Sequence, residues 1–314
     1  MNRLVIVLVA ILSVGTVAAQ QPQPADSLLN DVDLDDLNEF FSFEDSLAIF
    51  NMIDSLLQET ELRSKSQLAM RIGYNSNAAS NNRSLGISQF GLSPGVSYYH
   101  KSGAYFDASG YWSTEYDPKY YLTILSAGYI GIISPKWSFL GEYSRFLYSD
   151  FGEDVTISYK NSVGISNFID VKPLTLRLDY TFLFGEKVGH RILPGVMLNF
   201  EKRNWRNINR ILFYPSFNLL IGSEQQEEYI PYAKTLAGAL IRIRNGLDLY
   251  YTSKETLFGV MNYSFTTPIS ISLANWNFLI AYTYNIPKAL AGEELGLENS
   301  GYLSASITRY FRFK

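Results

Sequence analysis

Between Leu174 and Phe184 the sequence changes character at every residue. Leu174, Leu176, Leu178, Tyr180, Phe182 and Phe184 share one face, and Thr175, Arg177, Asp179 and Thr181 share the other. A period of two is the side-chain repeat of a β-strand. It recurs over 104–113, where Phe106, Ala108, Gly110 and Trp112 oppose Tyr105, Asp107, Ser109 and Tyr111. It recurs over 192–201, where Ile192, Val196, Leu198 and Phe200 oppose Asn199 and Glu201. Over 211–221, Ile211, Phe213, Phe217, Leu219 and Ile221 oppose Tyr214, Ser216 and Asn218. From Gln67 onward no apolar run reaches the roughly 20 residues that a membrane-crossing helix needs. This part of the chain is all β, and the open question is whether its apolar face meets water or lipid.

Three features favour lipid. The apolar faces are long and carry aromatics at their ends, where Tyr and Trp suit a membrane interface. The opposite faces carry charges in mid-strand, which suits a wet lumen. Connections alternate between tight and long, the asymmetry of a membrane barrel with short periplasmic turns and long outer loops. Lys101-Ser102-Gly103, Ser134-Pro135-Lys136, Asp170 to Pro173 and Thr266-Thr267-Pro268 read as tight turns. Residues 77–86, 114–119, 223–254 and 286–299 read as the longer ones. A closed barrel pairs every backbone group and needs no continuous apolar run. Its two faces cancel in the average, which accounts for a mean hydropathy of -0.02 with 15% aromatic and 18% charged residues.

The expected fold is an all-β, transmembrane, antiparallel up-and-down β-barrel of about twelve strands over 67–314, preceded by a short N-terminal helical segment. The strands are expected near 67–76, 87–101, 103–115, 120–133, 136–149, 153–169, 172–185, 188–203, 209–222, 255–266, 269–285 and 300–314. Residues 223–254 leave room for one more hairpin, which would make about fourteen.

The first 66 residues differ from the rest. Met1-Asn2-Arg3, the apolar run Leu4 to Leu12 and the small residues up to Ala19 read as a signal peptide over 1–19. Over 20–66 lies an acidic segment with eleven carboxylates against Arg63 and Lys65, a net of -9. Ser42-Phe43-Glu44-Asp45 reads as an N-cap with acids in the first turn. Leu47, Phe50, Ile53 and Leu57 follow at helical spacing, so one amphipathic helix is expected near 43–59. The segment reads either as a solvated periplasmic extension, open to a periplasmic partner, or as a helix that plugs or docks on the remainder. The remainder, 67–314, carries a net of +4.

The chain ends Gly301-Tyr302-Leu303-Ser304-Ala305-Ser306-Ile307-Thr308-Arg309-Tyr310-Phe311-Arg312-Phe313-Lys314. With Phe311 and Phe313 on one face, this resembles the C-terminal insertion signal of Gram-negative outer-membrane β-barrel proteins. The terminal aromatic is penultimate here, and Arg309 falls on the outward face. The stretch Ser93 to Gly103 is similar to sequences in uncharacterised barrels of the Bacteroidota. The resemblances imply a bacterial outer-membrane location, surrounding outer-membrane lipids and recognition by the barrel-assembly machinery. They imply no activity.

Candidate functional residues follow from strand parity. Arg71, Asp107, Glu142, Lys160, Arg177, Asp179, Arg191 and Glu201 are expected to line the lumen. There they form either a salt-bridged filling or a charged constriction selecting ions or small solutes. Pro94-Gly95 and Pro194-Gly195 lie inside strands. Proline removes a ladder donor, so both are expected at bulges that bend the wall.

The chain has two His and no Cys, which excludes thiolate metal sites and cysteine nucleophiles. His100 is expected at a periplasmic turn and His190 at the outer end of a strand, facing outward. Outer-membrane phospholipases are twelve-stranded barrels with a Ser–His–Asn site, but only Asn81-Asn82-Arg83-Ser84 offers a loop echo of their motif. No catalytic residue, metal site or cofactor is assigned, and the net charge of -4 gives no reason to expect nucleic acid. The function expected is a passive channel or transport barrel. The alternative is a closed structural or interaction barrel that presents its loops or acidic segment, and a lipid-modifying enzyme is the remote third.

Overall fold

The computed structural model describes residues 65–76, 91–114, 118–150, 157, 159–233, 235–290 and 299–313. The signal peptide, the helix expected near 43–59, and Asn81 to Ser84 lie outside the described residues. Among the described residues fourteen strand segments and one helix follow in order: β1 (Gln67–Asn75), β2 (Gly91–Tyr99), β3 (Ala104–Ser113), β4 (Tyr120–Ser134), β5 (Trp137–Tyr148), β6 (Tyr159–Val171), β7 (Leu174–Gly185), β8 (Val188–Leu198), β9 (Phe200–Trp205), β10 (Ile208–Phe213), β11 (Ser216–Pro231), α1 (Leu236–Arg244), β12 (Tyr250–Leu273), β13 (Trp276–Pro287) and β14 (Ser300–Arg312).

These segments make a closed ring of twelve antiparallel strands. Only Asn199 separates β8 from β9, and only Tyr214-Pro215 separates β10 from β11, so each pair is one interrupted strand. Each strand pairs with the next, and β1 closes on β14 from Gln67↔Arg312 to Asn75↔Ser304. Closure leaves the ring without an edge, so backbone donors and acceptors pair within the wall.

Two ends differ. At the turn end the connections are His100–Gly103, Pro135-Lys136, Lys172-Pro173, Arg206-Asn207 and Ala274-Asn275. At the loop end they run up to the span 232–249, with Glu186-Lys187 as the one tight exception. Alternation orients the wall. Met70, Ile72, Val96, Phe106, Leu176, Leu178, Ile280 and Ile307 point outward with 42% to 62% of their surface bare. Tyr98, Tyr129, Trp137, Trp276 and Phe313 ring the turn end of this apolar band, and Tyr120 stands outward at its loop end.

Several expectations need correction. Thr266-Thr267-Pro268 is no turn. It lies inside β12, and the turn is Ala274-Asn275, with Ala274 at φ 47. In this register Thr267-Pro268 faces Tyr214-Pro215, because β12 pairs β11 up to Ser216↔Thr266 and β10 from Phe213↔Ile269. Two residues without an N–H thus share one gap in the ladder, so no turn is needed to hide either. The extra hairpin for which 223–254 left room does not form, and the count stays at twelve. Those residues lengthen β11 and β12 and carry α1, capped by the Thr235 side chain accepting from the Gly238 N–H.

The bulges expected at Pro94 and Pro194 are not there. Ile72↔Pro94 and Leu178↔Pro194 sit in unbroken register. On the other side of each proline, pairing lapses for two residues and resumes without a shift. A lapse accommodates the missing donor without an inserted residue. Register shifts occur instead at Tyr111/Trp112, Ile132/Ser134, Tyr159/Asn161 and Leu220/Ile221.

The glycines beside those prolines have another cause, which is close approach on the inner face. A Cβ on Gly95 would lie 2.8 Å from Ser109 Oγ and 3.3 Å from Arg71 Nη2, and one on Gly195 would lie 2.3 Å from Asn218 Oδ1. The inward polar side chains lie across these backbones.

Candidate functional site: the barrel interior

The inner face is layered. Near the turn end Tyr105, Ile130, Leu140, Phe168, Met197, Leu212, Tyr214 and Leu279 form a buried apolar cluster. Near the loop end Tyr111, Tyr121, Leu122, Ile124, Phe146, Tyr159, Leu183 and Tyr302 form a second. A third joins Leu220, Met261 and Leu290. The polar and charged residues lie mainly between these layers.

Six of the eight expected lumen residues face inward within the ring, and they fall into separate networks. On β1 to β3, Arg71 Nη2 donates to Ser109 Oγ at 2.9 Å, and Ser109 donates to Asp107 Oδ2 at 2.7 Å. Ser97 donates to the other Asp107 oxygen. On β3 to β5, Tyr105 donates to Glu142, Ser144 donates to Glu142 Oε1 at 3.1 Å, and Ser144 shares a hydrogen bond with Ser126 at 2.7 Å. On β7, Arg177 and Asp179 are two residues apart, so they share a face. They form an ion pair with side chains only 2% and 10% exposed. The Arg177 guanidinium also lies 5.8 Å from the Phe168 ring centroid. On β8, Arg191 donates to the backbone oxygen of Ser223. The opposite wall is neutral: Asn262 Nδ2 donates to Asn285 Oδ1 at 3.2 Å, and the Thr266 and Thr283 hydroxyls are 3.1 Å apart.

Two expected lumen residues lie elsewhere. Lys160 sits at the Tyr159/Asn161 register shift, where parity breaks. Its ammonium pairs at 2.8 Å with Glu186 in the loop-end turn, with side chains 40% and 54% exposed. It is a rim residue. Glu201 lies on β9, beyond the ring, because β7 stops pairing with β8 at Leu174↔Leu198. It continues the inward face into the β9–β10 hairpin at the turn-end mouth. There Glu201 Oε1 accepts from both Arg203 Nε and Arg210 Nε at 2.6 Å. Burial pulls the Arg210 guanidinium down to about 10, which leaves it charged at neutral pH.

The inward apolar layers escaped the parity reading. Their signal was present: Phe182-Leu183-Phe184 and Ile211-Leu212-Phe213 are apolar at consecutive positions, so both faces of the strand are apolar there. Leu183 and Leu212 are the members that turn inward.

Both histidines lie off the interior. His100 is in the first turn-end connection with Nδ1 2.8 Å from Ser102 Oγ. His190 faces outward on β8, with Nδ1 2.8 Å from the Tyr180 hydroxyl and its ring 5.2 Å from that of Phe182. The hydroxyl against its ring is a phenol, not a serine hydroxyl held for nucleophilic attack. At the C-terminus Phe311 and Phe313 share the outward parity of β14. Arg309 lies 5.0 Å from the ring centroids of both Trp276 and Phe311.

No family model matches the sequence, and no curated protein matches it. Solved outer-membrane β-barrel proteins are similar in structure. The KdgM porin is 10% identical, with 78% of this chain and 99% of that one covered and a TM-score of 0.40. LpxR from Salmonella typhimurium is 8% identical, with 78% and 100% covered and a TM-score of 0.42. The translocator domain of the autotransporter NalP from Neisseria meningitidis is 12% identical, with 89% and 99% covered and a TM-score of 0.39. The closed ring itself, rather than these distant likenesses, establishes the fold.

Proposed function

We propose that the chain is an outer-membrane barrel that passes ions or small solutes, and that its acidic N-terminal segment occupies the interior. The apolar outer band with aromatics at both ends suits lipid. Short connections at one end and long ones at the other support a periplasmic turn end. Arg71, Arg177 and Arg191 against Asp107, Glu142 and Asp179 supply a charged inner wall suited to screening solutes.

One observation carries the occupied interior. Asn218, Asn262, Thr266, Thr283 and Asn285, all inward on β11 to β13, keep between 0% and 1% of their surface exposed. Side chains just fill a barrel of about 8 strands, and diameter grows roughly linearly with strand number. A Thr or Asn on a twelve-strand wall is too short to meet the far side, and the larger inward side chains of the interior clusters, such as Met261 and Leu290, leave room for a further cover. The segment 20–66 fits that role. It joins β1 beside a cavity of about 190 Å³ at the turn end, edged by Lys65, His100 and Lys101. Its net of -9 opposes the +4 of 67–314. A helix over 43–59 would be about 25 Å long, close to the roughly 25 Å height of a barrel's apolar band.

Planar-bilayer conductance of the full mature chain and of a variant lacking 21–64 tests this. The full chain should show small or intermittent currents, and the variant should show steady, larger ones. A variant that folds, as shown by heat-modifiable gel mobility, yet passes no current would favour the closed interaction barrel.

A further inference from the structure

The outward wall should be apolar, yet near its loop end it carries a polar cluster with an unbalanced hydrogen-bonding character. Arg145 on β5 stands opposite Asn161 on β6 in the ladder, three residues short of the end of β5. Tyr143 lies two residues before Arg145 on the same face. Tyr143 and Arg145 each donate to Asn161 Oδ1, both at 2.8 Å. The one strong acceptor of the cluster is therefore doubly used. What it presents outward is the Asn161 amide N–H groups and the remaining guanidinium donors of Arg145.

Arg145 pairs with no carboxylate among the described residues, whereas the neighbouring Lys160 is matched to Glu186 at 2.8 Å. Around the cluster the wall is bare and apolar, with Leu147, Val163 and Ile165 exposed by 43% to 47%. An ionisable residue on a lipid-facing wall is costly and by default marks a function. A planar fork of donors matches the oxygens of a phosphate group.

We propose that Arg145, Asn161 and Tyr143 form a site for the phosphate headgroup of a lipid in the leaflet at the loop end. The guanidinium and the Asn161 amide take the phosphate oxygens, Tyr143 holds Asn161 in position, and Leu147 and Val163 lie against the acyl chains. Arg309 makes an instructive contrast: it is also outward, but its guanidinium lies over the Trp276 and Phe311 rings at 5.0 Å. This site rests on the membrane reading above, not on the conduction reading.

The test uses the full mature chain in a neutral detergent, titrated with phosphatidylglycerol and followed by native mass spectrometry. Wild type should retain one phosphatidylglycerol, with its net negative headgroup, more strongly than it retains phosphatidylethanolamine with its charge-balanced headgroup. Arg145→Gln should lower the apparent affinity roughly tenfold, the size expected for losing hydrogen bonds to a charged group. Arg145→Lys should fall between, and Arg309→Gln should match wild type. Inorganic phosphate at millimolar concentration should not displace the lipid. Equal retention by wild type and Arg145→Gln would overturn the proposal, and displacement by free phosphate would overturn its lipid source. Heat-modifiable mobility of each variant separates a failed site from a failed barrel.

Discussion

Replacing Asp179 by Asn probes whether the interior is dry. The Arg177–Asp179 pair is made by neighbours on one inward face, and both side chains are nearly excluded from solvent at 2% and 10% exposure. A guanidinium is a permanent cation in proteins. Asp179→Asn therefore keeps the shape but leaves an imperfectly compensated cation in a low-dielectric site. Removing one member of such a buried pair typically costs about 3–5 kcal/mol. The same pair in open water would be worth about 0–1 kcal/mol. The gap between those figures is what decides. Urea unfolding from lipid vesicles, followed by the fluorescence of the four tryptophans, reads the difference. The double change Arg177→Met with Asp179→Leu should cost less than Asp179→Asn alone, since both charges then leave together. A loss below about 1 kcal/mol for Asp179→Asn would mean the pair is hydrated, and the account of a filled interior would be wrong.

Further outcomes follow from single contacts. Gly195→Ala would place a Cβ 2.3 Å from Asn218 Oδ1, so urea unfolding should show a loss of about 1–3 kcal/mol from overpacking. Asn218→Ser in the same chain should recover part of it. Lys160→Gln should change stability by less than about 1 kcal/mol and leave any ion selectivity untouched, because Lys160 is at the rim; a selectivity shift in bilayers would return it to the lumen. Phe311→Ala with Phe313→Ala should lower the fraction of chain that becomes heat-modifiable in cells, while wild-type yield in both would deny these residues an insertion role.

The wall was legible because a barrel strand writes its two faces as a simple alternation. Thr175 to Thr181, with the facing leucines and Tyr180, needed only a parity count to be placed. Where parity failed, a local event had changed the count. The register shift at Tyr159/Asn161 moved Lys160 to the rim, and no single-residue pattern announces such a shift. Pro268 in mid-strand lacks a ladder donor, and nothing next to it in sequence shows how that is tolerated. Its tolerance depends on Tyr214-Pro215 standing opposite, some fifty residues away in sequence, which only the pairing reveals. The inner apolar layers were half-legible, through doublets such as Leu183 beside Phe184. The Arg145–Asn161–Tyr143 cluster was not, since it joins two strands across a register that no local pattern fixes.

The occupied interior can be tested most directly by chemical access to one wall position. The chain has no cysteine, so a single introduced thiol reports without background. Thr283 faces inward on β13 and is 1% exposed. Thr283→Cys should resist a membrane-impermeant thiol reagent in the full mature chain and react readily once residues 21–64 are removed. Equal labelling of both proteins, fast or slow, would contradict the claim that the acidic segment covers the inner wall.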